Sequence, residues 1–367
     1  MRRIMPALGI AAALAWPPAS LADDGLAELM ARGQYRRASA VAEARLQSRP
    51  HDTEALVELA RIRAKQRRFE EATRFAEQAV AAAPASADAR FALAEVLGSH
   101  AGSAGMLKGL GLARRFRKEA EAALALSPDH EAALVAMAQF HRFAPGIAGG
   151  DRDKGREFEA RLMKSHPPAA WIEKAGAAFS VGDSAGGERC LRQAAAAARG
   201  ARGKLELASY LAATGRGTDE AARLAREALE AEPWSVEGWV ALALVEARGA
   251  RWAEVAATLA GAESETGGSR AAHYQTGRTL LEQGLDAARS EQLFRRYLEV
   301  EPEIGAPSHA ATWWRIGIAL ERQGKRPDAV AALETSVSLD PKFQKAKRDL
   351  KRLKGWPGAA PGGAARP

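Results

Sequence analysis

The sequence predicts an all-α chain: a solenoid of about nine antiparallel helix pairs with a C-terminal capping helix. Three observations carry that expectation. A proline that ends an Ala-rich helical stretch recurs at near-constant intervals: 34 residues from Pro50 to Pro84, 44 from Pro84 to Pro128, and 39 from both Pro128 to Pro167 and Pro302 to Pro341. One helix-terminating proline per period of about 20–50 residues is the mark of stacked helical pairs. Within each period, apolar residues fall three and four apart, which keeps them on one face of a helix. The composition, 47% hydrophobic but only 6% aromatic, supplies the small residues that close helix packing needs.

Taken in order, residues 1–22 read MRRIMPALGIAAALAWPPASLA. Two arginines, an apolar run and the small residues Ser20 and Ala22 before Asp23-Asp24 form the pattern of a secretory signal peptide. Export to the bacterial periplasm is expected, with secretion as the alternative. No cysteine stands near the cleavage site for a lipid anchor. No later stretch reaches the ~20 apolar residues that span a bilayer.

The solenoid is expected over residues 23–354, with units starting near 19, 53, 87, 131, 168, 202, 236, 271 and 310, the first of them degenerate as terminal repeats often are. Thr53 to Pro84 shows the plan. Leu56, Leu59 and Ala60 form the apolar face of a first helix, Lys65–Arg68 break it, and Ala72, Ala76 and Ala79 face it from a second helix that Pro84 ends. Leu205, Ala208, Ala221, Ala225, Ala228 and Pro233 repeat the skeleton, as do Trp239, Leu242, Ala243, Trp252, Leu259 and Ala262. The clearest copy is Trp313, Ile316, Gly317, Leu320, Gly324, Ala329, Leu333 and Pro341. Lys342–Lys354 reads as the cap, with Phe343, Ala346, Leu350 and Leu353 on its apolar stripe and a basic opposite face. The Pro/Gly/Ala tail over 355–367 has nothing to bury and is expected to be disordered.

That last copy, a large residue followed by leucine-like and small residues, then Gly, Ala, a bulky residue and Pro, resembles the tetratricopeptide repeat. The resemblance implies a right-handed superhelix whose first helices line a concave face. Carried onto this chain, it nominates Val57 and Arg61, Phe91 and Glu95, Val135, Gln139 and Arg142, Ile172 and Phe179, Glu206 and Tyr210, Gln275, Thr279 and Glu282, and Trp314, Ile318 and Glu321. From these the partner-binding set is Phe91, Glu95, Gln139, Arg142, Tyr210, Gln275, Trp314 and Glu321. Aromatic anchors alternating with single charges suit an extended peptide or a helix of a partner protein. The Lys/Asn arrangement that some relatives use to clamp a terminal carboxylate is missing. The implied function is a non-enzymatic interaction scaffold, assisting assembly of an envelope complex.

The ruler stretches at Gly98–Gly111, at 143–154 and at 303–309, and insertions in solenoids map to loops where binding occurs. Gly-rich turns can offer backbone N–H groups to an anion. Lys108, Arg114, His141, Arg142, Gly149, Gly150, Asp151 and Lys154 therefore form an alternative site for an acidic small ligand, in a periplasmic or transporter-accessory binding protein. The alternative to that is plain turn chemistry, with Asp151 capping the next helix. The stretch resembles insertion-bearing repeats of exported bacterial tetratricopeptide proteins and, more loosely, the T-component of some TRAP transporters.

Catalysis is not expected. The seven histidines make no HxxxH or HExxH pattern or His/Cys cluster, and no P-loop, GxSxG elbow or Rossmann fingerprint is present. No cofactor and no metal is implied. A single cysteine, Cys190, cannot pair within the chain. The net charge of +8 includes Arg2 and Arg3 of the leader. With export, it argues for a solvated helical surface and against nucleic acid. The basic cap favours a monomer.

Overall fold

The computed structural model describes residues 25–355. The expected signal peptide at 1–22 and the expected disordered tail beyond Gly355 lie outside the described residues. Among those residues all regular structure is helical: nine antiparallel pairs and a cap. The pairs are α1 (Leu26–Ala31) with α2 (Tyr35–Ser48), α3 (Thr53–Lys65) with α4 (Phe69–Ala82), α5 (Ala87–Ala101) with α6 (Met106–Leu126), α7 (Glu131–Phe143) with α8 (Arg152–Ser165), and α9 (Pro167–Ser180) with α10 (Ser184–Ala197). They continue as α11 (Arg202–Thr214) with α12 (Thr218–Ala231), α13 (Val236–Arg248) with α14 (Trp252–Glu265), α15 (Ala271–Glu282) with α16 (Ala287–Tyr297), and α17 (His309–Arg322) with α18 (Arg326–Leu339), followed by α19 (Gln344–Gly355).

Local chemistry sets these limits. Asp52, Ser86, Ser235 and Ser308 each accept a backbone N–H at the start of a first helix, a cap worth about 1 kcal/mol. Pro84 follows α4 by two residues, where no further helical N–H is needed. Small residues then let the pairs close. A Cβ at Gly317 would come within 2.8 Å of Leu333, so the α17–α18 contact depends on glycine there. Each first helix packs on its own partner and, through most of the stack, on the first helix of the next unit. That side-by-side packing loosens between α5 and α7 and between α15 and α17, the two joints beside the longest helix, α6, and the 298–308 loop.

The turn between first and second helix uses a left-handed residue at one recurring place. It is glycine at Gly33, Gly182, Gly215, Gly284 and Gly324, but Arg67 (φ 60°) and Ala250 (φ 53°) in units two and seven. A left-handed conformation costs an L-residue about 1–2 kcal/mol, partly offset by the greater freedom that glycine has when unfolded. Ala250→Gly is therefore expected to stabilise the chain by about 0.5–1 kcal/mol, read as a raised urea midpoint with an unchanged slope.

One of the inserted stretches differs from the sequence reading. Most of 98–111 is helical: α5 runs through it to Ala101, and α6 begins at Met106. Gly98 lies against the Phe116 ring and Gly109 against the Ala101 carbonyl, so these glycines permit close helix approach and do not shape a loop. The 143–154 stretch is a true connection, with a 3-10 turn at Gly146–Ala148 and Asp151 capping α8.

The chain also comes back on itself. The backbone N–H of Arg36 donates to Glu303 Oε2 (3.1 Å), while its guanidinium donates to the Pro302 carbonyl and Glu301 Oε1 (both 3.0 Å). Ile304 packs into the apolar cluster of Leu26, Leu29 and Val41. The Arg32 guanidinium lies 5.6 Å over Trp234, Gln34 sits where a side chain at Gly267 would be, and Gly305 rests on Lys65. The helix–helix turns of units one and two thus stack on the connections that end units six, seven and eight.

Candidate functional site

The first helices α3 to α17 present the inner face, and its polar groups are joined in a ladder from one unit to the next. Arg61 on α3 bonds Glu95 on α5 (3.1 Å) and Glu58 on its own helix (2.7 Å). Gln139 on α7 donates to both Glu173 oxygens on α9 (3.0 and 2.9 Å). Glu282 on α15 pairs with Arg315 on α17 (3.0 Å), and Glu321 on α17 with Arg352 on α19 (2.5 and 2.7 Å). The partners lie 31–34 residues apart, about one repeat, so equivalent positions of adjacent units meet. Exposed pairs of this kind contribute about 0–1 kcal/mol each. Their main effect is to set register and to occupy charges otherwise open to a partner.

The ladder is interrupted in the middle. Glu206 on α11 is exposed and makes no hydrogen bond among the described residues. Partial burial holds its carboxyl above the usual range, and the neighbouring carboxylates of Glu237 on α13 and Glu173 on α9 push it further the same way, against Arg202. Beside it the rings of Phe179 and Tyr210 stack at 5.1 Å, half-buried. An acidic run with an aromatic pair at its side is the open part of the inner face. Nearer the N-terminus, Met30, Tyr35, Arg61, Lys65 and Glu95 enclose a cavity of about 270 Å³.

The sequence-nominated residues divide. Tyr210 stands in the open stretch, and Glu95 and Gln139 lie on the inner face within the ladder. Gln275 is half-buried, and its amide oxygen has no partner. Phe91, expected as an exposed anchor, is 6% exposed and packs 5.0 Å from the His130 ring, so it serves the core. Trp314, expected to face a ligand, donates Nε1–H to Asp349 of the cap (2.8 Å) and meets Phe343 edge-on at 5.8 Å. Glu321 is held by Arg352, whose hydrogen bond lowers its carboxyl pKa. Arg142 turns away to Glu159 on α8.

The alternative ligand set does not converge. Lys108 reaches Glu70 on α4 (3.6 Å), and Arg114 donates to the Ile147 carbonyl (3.0 Å). His141 is 1% exposed, stacked on Phe158 at 5.6 Å, and both its nitrogens lack partners. Gly149 is left-handed (φ 97°) with the Arg117 guanidinium where a Cβ would sit, and Gly150 abuts the Ala144 carbonyl. Asp151 accepts from the N–H groups of Asp153 and Lys154, which lowers its pKa. Gly149, Gly150 and Asp151 build the α7–α8 connection itself, and Lys108 lies away from it.

Among the described residues no group of three metal-ligating side chains forms, and no helix is long and apolar enough to cross a membrane. His130 and His166 bond Asp88 and the Asp129 carbonyl at the unit junctions. Cys190 is free and half-buried beside the buried Leu191.

A family model described as tetratricopeptide repeat matches residues 29–96, from α1 into α5. A search of curated protein sequences finds no match. Among solved structures, the Cut9–Hcn1 hetero-tetramer of the APC/C is similar at 12% identity, over 91% of this chain and 65% of that chain, with a TM-score of 0.44. Yeast Tom70 is similar at 13% identity, over 90% of this chain and 80% of that one (TM-score 0.49). A thermophilic TPR protein of Thermus thermophilus is similar at 21% identity over 60% of this chain and 94% of that one (TM-score 0.35).

Proposed function

We propose that this chain is a non-enzymatic scaffold that holds a segment of a partner protein on its inner face, at the acidic stretch between α9 and α13. The observation that carries this reading is Glu206, left without a hydrogen bond, with the negative charges of Glu237 and Glu173 near it and Arg202 as the one opposing cation. Like-charged carboxylates on adjacent helices repel, and a segment bearing Lys or Arg relieves that repulsion while its apolar side chains meet Phe179 and Tyr210. The partner segment is accordingly basic and amphipathic. The helix-pair repeat supports a binding role over a chemical one, and the leader-like residues 1–22 support export to the periplasm, or secretion, with assembly of an envelope complex as the setting. The basic cap α19 supports a monomer.

Crosslinking and capture from intact cells would compare the natural chain with Tyr210→Ala and with the double substitution Glu206→Lys, Glu237→Lys. The charge reversal should reduce a specific captured partner at least about tenfold, equal to about 1.4 kcal/mol, with helical circular dichroism unchanged. An unaltered partner set would sink the groove reading.

A further inference from the structure

A second site lies on the outer, second-helix side of units seven and eight. Unit seven ends without a proline: Gly267 and Gly268, both left-handed, make a longer turn between α14 and α15. As a result α14 seats more lightly on α15 than the other second helices do on the first helix that follows them. A cleft of about 340 Å³ opens between α14 and α16. Trp252, Val255 and Leu259 line one wall, Leu293 lines the other, and His273 belongs to the floor.

His273 is 6% exposed, and its Nδ1, buried without a hydrogen-bond partner, does not open to the cleft. The charges at the mouth are what point to a ligand. At the mouth, Arg270 is taken by Glu263 and Glu299, and Arg296 is shared between the same two carboxylates. Arg289 stacks 5.1 Å over Trp252 and donates to the neutral Gln292, with no carboxylate partner among the described residues. Three guanidinium groups therefore face two carboxylates, and one positive charge is left over at the rim.

We propose that this cleft binds a small monocarboxylate with an apolar body. The body fills the space between Trp252, Leu259 and Leu293, and the carboxylate pairs with Arg289 at the rim. A charge at the rim over an apolar interior is the usual division of labour in a pocket of this size.

Octanoate titrated into the full chain by calorimetry tests this, with octanol as the uncharged counterpart. One saturable site is expected, with a dissociation constant on the order of 1 mM or tighter. Ala256→Trp, at an exposed position on the wall, should abolish binding by filling the cleft. Arg289→Gln should weaken octanoate about tenfold and leave octanol unchanged. Absence of saturable octanoate binding to the folded chain overturns the proposal, as does binding that Ala256→Trp leaves intact. Equal loss of both ligands in Arg289→Gln overturns the assignment of the anion partner.

Discussion

Phe294→Ala should destabilise the chain by about 3–5 kcal/mol, the cost of emptying a fully buried aromatic site. Phe294 has no exposed surface and packs against Tyr274 at 5.4 Å, with its ring edge close to Gly277. Tyr274 in turn stands 5.0 Å from Tyr297, whose hydroxyl donates to the Pro307 carbonyl at 2.8 Å. The same cluster therefore fixes the 298–308 connection that carries Glu301, Glu303 and Ile304 to the N-terminal unit. Urea unfolding followed by circular dichroism gives the loss. A change below about 1 kcal/mol would mean that the site collapses without a cavity and that these aromatics do not organise the eighth unit. Phe294→Leu, which leaves a smaller void, should fall between the two.

Acidification from pH 7 to pH 4 should remove about 3 kcal/mol through His273 alone. Burial pushes its imidazole down to about 4 from an ordinary 6.5, with Arg270 and Arg296 adding to the effect and Glu263 and Glu299 opposing it. The unfolded chain therefore takes up a proton near pH 6.5 while the folded chain stays neutral. Stability from this group is complete above pH 6.5 and is lost as the pH falls toward 4. His141, lowered by burial and then by Lys154, acts in the same direction. Glu58, Glu206 and Glu246, all raised chiefly by burial, act oppositely over the carboxylate range. The difference between the natural chain and His273→Leu isolates the imidazole: the variant should lose less stability over that interval. Parallel curves would show that His273 is protonated equally in both states.

The helix pairs were legible because each boundary is written locally. Asp52, Ser86 and Ser308 cap, Pro84 stops, and Ala72 or Gly317 marks the contact, so unit boundaries follow from residues a few positions apart. The glycines at 98–111 misled because glycine has two uses, and only the three-dimensional position of Phe116 shows which one applies. Phe91 and Trp314 occupy inner-face register positions, yet their surroundings come from other units: His130 of the next pair and Asp349 of the cap. Glu206 was visible as an inner-face position, but its lack of a hydrogen-bond partner was not, since that depends on which side chains the neighbouring helices bring to it. The insertion at 303–309 was legible, but its return to unit one was not. That return is the sum of small rotations between successive units, a property of the stack and of no single repeat.

For the partner binding proposed above, that return contact would govern how quickly the inner face is reached. With units one and two resting on the connections of units six to eight, a folded partner cannot slide in sideways between the ends of the coil. It must thread along the axis or wait until Arg36 leaves Glu301 and Glu303 and Ile304 leaves Leu26 and Leu29. The Arg36–Glu301 ion pair at that seam is exposed and weakened by salt, while the Ile304 contact is not. Association would then be limited by how often the seam parts. The apparent affinity would be the intrinsic one scaled by the open fraction, and the association rate would rise with ionic strength where simple charge steering would make it fall.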